Sequence, residues 1–431
     1  MSEGAVNLMR VEEAPATPVA SPATSRVDLS QGGSNLPPVI ILGGEANALS
    51  VIRSLGRMGV RVFALGEAGS AVGQSRYCTW VPLRSKGGVE TAWARWLLGT
   101  ESDHLKGSIV LSCSDAGIRV IAHHRQALLA RFRLDESDPR SQIQMLDKVT
   151  TYQQAVAAGI DTPQFWMIQS RDQVLALQDQ LVFPLIIKPR ISHVFEAKFN
   201  RKYIFASNLA EALAAIDVTS AAGVEVLLME WVPGPDSKLC SYFTYLTEEG
   251  AALFHFTKRV IRRYPTGMGA GCYHITDWIP ELVEPSLKLF RHVGLRGLAN
   301  IEFKQDERDG RYKIIECNAR FVGSNALVTS SGFDLAAFVY NRLAGRPQPP
   351  LERFQIGRRM WDPGRDWSAF RELRGLGEIT FTKWLASVAH RQTFQWFVWS
   401  DPMPALARAM KPIRRKLAQK ARLTSQRDDG A

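Results

Sequence analysis

The chain has 431 residues, enough for two or three domains, and 45% of them are hydrophobic while 22% are charged. This balance is typical of a soluble globular protein. No apolar run approaches the roughly 18 residues that a membrane-spanning helix needs. The N-terminal segment lacks a basic stretch followed by an apolar core, so we predict no signal peptide.

Five cysteines are odd in number and scattered along the chain, and none forms a CxxC pair. We therefore predict neither a disulfide framework nor a zinc site, and a reducing compartment, the cytoplasm, fits best.

The net charge of +11 is unevenly distributed. Residues 408–431 hold eight Lys/Arg and two Asp, which leaves 45 basic and 40 acidic residues for the rest of the chain. The body is therefore only mildly basic, as suits a protein that binds anionic substrates, and the basic tail is a separate feature.

The first part of the chain predicts a tail and an α/β domain. Residues 1–36 are rich in Ala, Pro, Ser, Thr and Gly, and we expect them to be disordered. Residues 37–145 contain PVIILGG, a helical pattern over 46–58, VRVFALG, SIVLSCSD and a helix over about 116–131. Alternating strands and helices of this kind predict a parallel sheet.

A second domain is expected over residues 146–345. It begins with a helix, a Gly break and a strand, and continues through the apolar strands FPLIIKPR and VEVLLMEW. Two strands joined at Glu249-Gly250 predict an antiparallel hairpin, and LANIEFK and YKIIECN are two further strands. Residues 346–431 form a C-terminal accessory segment, expected to be mostly helical, with five of the chain's eleven tryptophans and the basic tail.

Carboxylates on apolar strands carry the strongest chemical signal. Glu302 lies in ANIEFK, and Glu316 and Asn318 lie in IIECNAR. A buried carboxylate is costly unless it is paired or binds a cation. Glu and Asn oxygens on adjacent strands suit Mg²⁺, and Arg320 could reach a transferring phosphoryl group. The alternative is that both carboxylates simply pair with Lys or Arg.

Three further segments carry candidate residues for a nucleotide. Lys188 ends the apolar strand PLIIK, and Lys148 lies at a helix start, where the helix dipole also favours a phosphate. In MEWVPGPD, backbone groups of Glu230, Trp231 and Val232 could pair with an adenine edge, and Asp236 could accept from ribose hydroxyls. The alternatives are a solvent-facing lysine and an ordinary strand with its turn.

A basic strand precedes a glycine-rich loop in KRVIRRYPTGMGAG. Strand alternation puts Lys258 and Arg262 on one face and Arg259 and Arg263 on the other. One face could bind a substrate carboxylate or phosphate through Arg forks, whereas the alternative is a solvated sheet edge.

The ordered set of motifs resembles the ATP-grasp superfamily over about residues 38–345. It looks closest to the carboxylate–amine ligase branch, near D-aspartate ligase and the ATP-grasp domains of carbamoyl-phosphate synthase. The resemblance implies an N-terminal parallel-sheet domain that helps to hold the acceptor, then a two-part ATP-grasp fold with the nucleotide between antiparallel sheets. One departure is Asp236, since the ribose carboxylate is often Glu in this superfamily.

The resemblance also implies a role for each candidate residue. ATP and Mg²⁺ (or Mn²⁺) are the implied cofactors. Lys148 and Lys188 would contact the phosphates, Glu230, Trp231 and Val232 would line the adenine site, Asp236 would hold the ribose, Glu302, Glu316 and Asn318 would bind the metal, and Arg320 would stabilise the transferring phosphoryl group.

The expected function is an ATP-dependent ligase that joins a small-molecule carboxylate to an amine or similar nucleophile through an acyl phosphate. The alternative is a catalytically silent ATP-binding module with a regulatory or scaffolding role. The aromatic and basic tail could rest weakly on an anionic membrane, or it could be a solvated end. No nucleic-acid partner is expected, since no recognised module is present.

Overall fold

A computed structural model describes residues 36–84, 87–189, 199, 203–348, 351 and 353–411. The predicted disordered tail, apart from residue 36, and residues 412–431 of the predicted basic tail lie outside these ranges.

The chain folds as two compact units that do not follow simple sequence order. Unit 1 comprises the described residues of Met1–Asp135, Cys272–Thr276 and Arg320–Ala431, and unit 2 comprises Glu136–Gly271 and Asp277–Ala319. The predicted boundaries at 145 and 345 assumed consecutive domains, whereas unit 1 gathers both ends of the chain because its C-terminal residues pack with its N-terminal ones.

Fifteen strands are present among the described residues. They are β1 Val39–Leu42, β2 Val62–Gly66, β3 Thr79–Pro82, β4 Ile109–Ser112, β5 Phe165–Ile168, β6 Leu185–Pro189, β7 Ile204–Ala206, β8 Val226–Glu230, β9 Leu239–Leu246, β10 Phe256–Tyr264, β11 Ala270–Thr276, β12 Gly297–Gln305, β13 Tyr312–Asn318, β14 Arg359–Trp361 and β15 Gln392–Phe394.

Fourteen α-helices accompany them in the described ranges. They are α1 Ala46–Arg57, α2 Val89–Leu98, α3 Asp115–His123, α4 Arg125–Leu129, α5 Pro139–Leu146, α6 Lys148–Ala157, α7 Arg171–Ala176, α8 Leu209–Ala221, α9 Val283–Val293, α10 Asn325–Ser330, α11 Leu335–Leu343, α12 Pro363–Gly375, α13 Phe381–Val388 and α14, described over 403–411.

Unit 1 contains a parallel sheet with the strand order β3-β2-β1-β4. All four residues of β1 are completely buried, because helices cover both faces of such a sheet and favour continuous apolar runs. The predicted parallel sheet is confirmed. The expected single helix over 116–131 is instead α3 and α4, because the backbone leaves the helical region at His124 (φ −113°, ψ 16°).

The C-terminal segment of unit 1 is mostly helical, as predicted, and it is joined to α1 by a buried ion pair. Arg53 Nε lies 2.9 Å from Asp401 Oδ2, and the two side chains are 5% and 1% exposed. Ser75 Oγ and the Arg76 backbone N–H also donate to Asp401. These contacts leave the buried carboxylate fully partnered, so the segment is an integral part of unit 1.

Unit 2 contains two antiparallel arrays of strands. One is a four-stranded sheet with the order β5-β8-β6-β7, and the other places β13, β12, β9 and β10 side by side. The predicted hairpin is confirmed as β9 and β10, and Gly250 in its turn has a φ of +84°. The fold class is therefore α/β as predicted. The glycine-rich loop is shorter than expected because β11 already begins at Ala270.

Candidate functional site

A row of charged side chains crosses one face of the second array in unit 2. Lys258 on β10 pairs with Ser241 on β9, Ser241 with Glu302 on β12, and Glu302 with Glu316 on β13. Directly opposed residues of antiparallel strands project from the same face, so all four side chains share it. The sheet register thus brings the two predicted metal-binding carboxylates together.

A neighbouring row of the same face carries two asparagines. Asn300 on β12 is the Cα partner of Asn318 on β13, two positions along from the carboxylates. Asn300 is 1% exposed and donates to the Tyr242 carbonyl, but its own Oδ1 is buried and accepts from no described residue. Because a buried acceptor without a partner is costly, this oxygen is available for a cation or a donor.

Lys148 completes the charged row from α6. Asp147 caps this helix by accepting from the Thr150 N–H, and Lys148 Nζ lies 3.1 Å from Glu316 Oε1. The alternative of a carboxylate paired with lysine is thus realised for Glu316. The two side chains remain 37% and 38% exposed, so the pair contributes little stability and a ligand can displace it at small cost.

Lys188 adds a second cation from β6. The pKa of Lys188 is lowered to about 8, chiefly by burial and to a lesser extent by the positive charge of Lys148, while Glu316 acts in the opposite direction. Two lysines that repel each other inside a partly buried site are an arrangement that an anion stabilises.

The donor set fits a small hard cation. Glu302, Glu316 and Asn318 supply oxygen atoms on one face, and the unpartnered Oδ1 of Asn300 is a fourth. Across the described ranges no three His, Cys, Asp or Glu side chains gather into a metal site of their own. Mg²⁺ commonly takes one or two carboxylates and completes its shell with substrate phosphates, which agrees with this set.

A narrow cavity of about 80 Å³ lies beyond the charged row. Its wall contains Lys188, Trp231, Val232 and Lys304, and apolar side chains form most of the remainder. The volume is below the roughly 300–1,000 Å³ of typical ligand sites. Gly267 and Met268 of the loop between β10 and β11 form part of the wall, so this loop would have to move to admit a nucleotide.

Lys304 lies on β12 and also lines this cavity. It is 3% exposed, its Nζ donates to the Val232 carbonyl at 2.8 Å, and it lies 5.0 Å from the Trp231 ring centroid. Lys304, Glu302 and Asn300 alternate along one face of β12, so successive side chains are spaced by roughly 7 Å. This face of β12 therefore has aromatic and apolar neighbours around Lys304 and carries a carboxylate at Glu302.

Glu230 does not line the cavity with its side chain. Its carboxylate is 5% exposed and lies 2.6 Å from Arg308 and 3.7 Å from Lys313, and it accepts from the Gln164 N–H. Asp306, which is fully buried, joins the same network. The carboxylate is thus engaged elsewhere, and the adenine contact predicted for the backbone of Glu230 remains a prediction.

Asp236 and Arg263 are paired with each other. Arg263 Nε lies 2.5 Å from Asp236 Oδ1, and the Gly267 N–H donates to Asp236 Oδ2 at 3.2 Å. Arg263 also donates to the Gly267 carbonyl. Both carboxylate oxygens are engaged in holding the loop, so ribose could reach Asp236 only after the loop has moved.

The other residues of the basic strand follow the predicted alternation. Lys258 and Arg262 are buried at 3% and 6% exposure, whereas Arg259 is partly exposed and pairs with Asp277 at 2.9 Å. Burial lowers the pKa of Lys258, and the Glu302 carboxylate acts in the opposite direction. The structure therefore places Lys258 in the charged row, and its predicted substrate contact remains a prediction.

Arg320 belongs to unit 1. Its Nε donates to Asp115 Oδ1 at 2.6 Å, and Asp115 is the first residue of α3. The predicted contact of Arg320 with a phosphoryl group remains a prediction.

Unit 1 contains a separate cavity of about 670 Å³, which opens at the carboxyl ends of the parallel strands. Gly43 and Gly44 follow β1 with φ values of +66° and +88°, and a Cβ on Gly43 would lie 2.5 Å from Trp93 and Ser114. Trp93 is 3% exposed, and its indole N–H has no acceptor among the described residues. Ligands of open parallel sheets bind at this edge.

The tail can be followed only as far as α14. Met403, Leu406 and Met410 on this helix are 48%, 51% and 36% exposed. No helix of the described chain is both long enough and apolar enough to cross a bilayer. The membrane contact predicted for the tail remains a prediction.

Comparisons with known proteins point in one direction. The family model described as ATP-grasp in the biosynthetic pathway with Ter operon matches residues 246–360. A D-aspartate ligase from Enterococcus faecium strain Aus0004 is 26% identical over 252 residues, 55% of this chain and 59% of the ligase. A D-alanine–D-alanine ligase from Stutzerimonas stutzeri strain A1501 is 28% identical over 185 residues, 40% of this chain and 54% of the ligase. The matches therefore span little more than half the length of these relatives.

A solved structure shares the fold. The ADP complex of purK, an N5-carboxyaminoimidazole ribonucleotide synthetase, aligns with a TM-score of 0.58 at 14% identity, over 75% of this chain and 81% of that one. The fold, the family model and the relatives together indicate the ATP-grasp superfamily, and the predicted resemblance is confirmed.

Proposed function

We propose that the protein is an ATP-dependent ligase that joins a carboxylate to an amine through an acyl phosphate, with ADP and phosphate as products. The observation that carries this proposal is the cluster of Lys148, Lys188 and Glu316 beside Glu302 and Asn318. Two carboxylates on one sheet face, with lysines from α6 and β6 beside them, suit a magnesium-bound polyphosphate.

The order of groups along β12 supports one orientation of ATP. The base would enter the cavity near Trp231 and Val232, above Lys304. The phosphates would lie toward Glu302 and Glu316, with Lys148 and Lys188 balancing their charge. A bound Mg²⁺ would offset negative charge that develops on the transferring phosphoryl group.

The residues of this chain act by positioning and by charge. Lys148 and Lys188 would hold the phosphates for in-line attack by the carboxylate, and the amine would then displace phosphate from the acyl phosphate. The loop containing Gly267 would close over the site, because an acyl phosphate is lost when water enters. Arg263 and Asp236 already fix this loop in one position.

The relatives narrow the kind of acceptor. Their names describe ligases of D-aspartate and D-alanine. We propose an amino acid or similar small amine as the acceptor for this chain.

The test is ADP release from the full chain in the presence of pooled carboxylates and pooled amino acids. We expect slow release with ATP alone and a sharp rise when both pools are present. Tight ATP binding without any stimulated release would favour the silent ATP-binding module and would contradict the ligase.

A further inference from the structure

Four large apolar side chains near the end of the described part of unit 1 remain exposed to water. We name them the apolar ridge: Trp399, Met403, Leu406 and Met410. Trp399 is 90% exposed, and the three residues on α14 are between 36% and 51% exposed. A contiguous apolar patch on a soluble protein marks a surface that meets another protein or a membrane. The apolar ridge lies wholly within unit 1 and includes no candidate residue of the nucleotide site.

The side chains of the apolar ridge lie close together. Met403, Leu406 and Met410 follow the spacing i, i+3, i+7, which puts them on one face of α14 within about 10 Å of each other. Trp399 is four residues before Met403, and a chain of that length spans at most roughly 14 Å. The four side chains therefore occupy one region of the surface.

Contacts on the opposite side of α14 fix the direction in which the apolar ridge faces. Arg408 pairs with Asp362 at 2.9 Å, and its guanidinium carbon lies 4.6 Å from the ring centroid of the buried Trp396. Pro404 of the same helix is also buried. With 3.6 residues per turn, Arg408 lies roughly opposite the ridge residues of the helix. The apolar ridge therefore faces away from these contacts and is open to a partner.

Two arginines stand at the Trp399 end of the apolar ridge. Arg57 donates to Ser400 Oγ at 3.2 Å, and the Arg76 backbone N–H donates to Asp401 Oδ1 at 3.0 Å. Both arginine side chains are exposed, and neither pairs with a carboxylate among the described residues. Their positive charge is therefore available to an anionic partner.

The segment that follows α14 adds positive charge at the other end. Residues 412–427 contain six Lys/Arg and no Asp or Glu. The partner should therefore offer apolar matter and negative charge together. An anionic lipid bilayer does so, because Trp, Leu and Met enter the boundary of the acyl chains while Lys and Arg meet the headgroups.

Other partners match the apolar ridge and its cations less well. A second copy of the chain would bring the same cations to the contact, since a two-fold interface opposes each surface to itself, and like charges repel. A nucleic acid would satisfy the cations through its phosphates but would leave the ridge without an apolar partner.

We propose that the apolar ridge docks unit 1 onto an anionic membrane surface. Trp399 and Leu406 enter the boundary of the acyl chains, and the charges of Arg57, Arg76 and residues 412–427 are attracted to the headgroups. The contact is peripheral and reversible, because it combines a small apolar area with screened electrostatic attraction.

The test is flotation of the full chain with vesicles of phosphatidylcholine and phosphatidylserine in equal parts, and with vesicles of phosphatidylcholine alone. We expect binding to the anionic vesicles that weakens as the salt concentration rises. Binding to the neutral vesicles should be about tenfold weaker or worse, since each basic residue near an anionic surface strengthens binding about fivefold.

Apolar variants separate the apolar ridge from general charge attraction. Leu406→Gln and Trp399→Gln keep the net charge, and each should weaken binding to the anionic vesicles about tenfold, because less apolar surface is buried. Leu129→Gln, which changes a 45% exposed residue of α4, is the matched control and should leave binding within about twofold. Melting curves establish that each variant folds.

The cations have a control of their own. The double variant Arg57→Gln with Arg76→Gln should weaken binding to the anionic vesicles about tenfold or more. Arg84→Gln with Arg95→Gln removes two exposed cations elsewhere in unit 1 and should leave binding within about twofold, because salt screens distant charges.

Three results would overturn the proposal. The first is an absence of binding to the anionic vesicles at low salt, or equal binding to both kinds of vesicle. The second is equal binding by Leu406→Gln and Leu129→Gln, which would assign the attraction to charge alone. The third is a wild-type dimer in sedimentation velocity that Leu406→Gln dissociates without a loss of vesicle binding, because the apolar ridge would then be an interface between copies of the chain.

Discussion

The two units place their polar groups in opposite ways. In unit 1 the strands of the parallel sheet are apolar, with β1 completely buried, and the polar cavity lies at the turns that follow the strands. In unit 2 the charges Lys258, Glu302 and Glu316 stand on the strands themselves. The buried ion pair of Arg53 and Asp401 therefore stabilises the fold of unit 1, whereas we propose that Lys258, Glu302 and Glu316 on the strands of unit 2 are placed for a ligand.

The largest effect on stability is expected when the buried Arg53–Asp401 ion pair of unit 1 is broken. Arg53→Met leaves Asp401 buried without its cation, which should lower the free energy of unfolding by about 3–5 kcal/mol. Urea denaturation measures this, with Arg57→Met, an exposed position on the same helix, as the control. Equal stability of the two variants would break the comparison.

Substitution of the charged residues on the strands of unit 2 should lower turnover rather than stability. Glu316→Gln should reduce ATP-dependent turnover roughly 100-fold or more, the scale for loss of one group that stabilises the transition state. The melting temperature should change little, because the Glu316 pair with Lys148 is half-exposed.

Glu302→Gln should also weaken turnover strongly. Glu307→Gln changes a residue in the exposed turn between β12 and β13 and serves as the control for Glu316→Gln. Activity near wild type in Glu316→Gln would remove this residue from the site.

Lys188→Met should separate binding from stability. It should weaken ATP binding by about 2 kcal/mol, the scale of a lost charge-assisted contact. Adenosine should bind nearly as before, since it has no phosphates. Stability should not fall, because burial disfavours the charged lysine. Calorimetry with both ligands tests this, and equal losses for ATP and adenosine would indicate a folding defect.

The smallest effect is a pH dependence of ATP binding. The pKa of Lys188 is about 8 in the free protein, and bound phosphates would raise it. Affinity is therefore full below pH 8 and falls as pH rises through that value, by up to about tenfold between pH 7 and 9. Titrations over this range should show the decline in the wild type and a flatter profile in Lys188→Met. A rise with pH would contradict the assignment.

Charged residues within apolar strands could be recognised from the sequence alone. Glu302 and Lys188 stand out because they interrupt apolar strands, and strand alternation correctly divided Lys258 from Arg259. Asn300 and Lys304 were missed, although each lies two residues from Glu302 and so shares its face.

Other features depend on partners that are distant in sequence. The ion pairs of Glu230 with Arg308 and of Asp236 with Arg263 could not be read from local pattern. Likewise, β14 pairs with β15 although the two strands are distant in sequence, and no local pattern predicts that pairing.

The central claim is that the cluster of Lys148, Lys188 and Glu316 transfers a phosphoryl group to a carboxylate. The most direct measurement uses the carboxylate and amine pair that gives most ADP release, with the carboxylate labelled with ¹⁸O. An acyl phosphate passes one carboxylate oxygen to the released phosphate, so we predict labelled phosphate together with ADP. Formation of AMP, or phosphate without the label during ligation, would contradict the account.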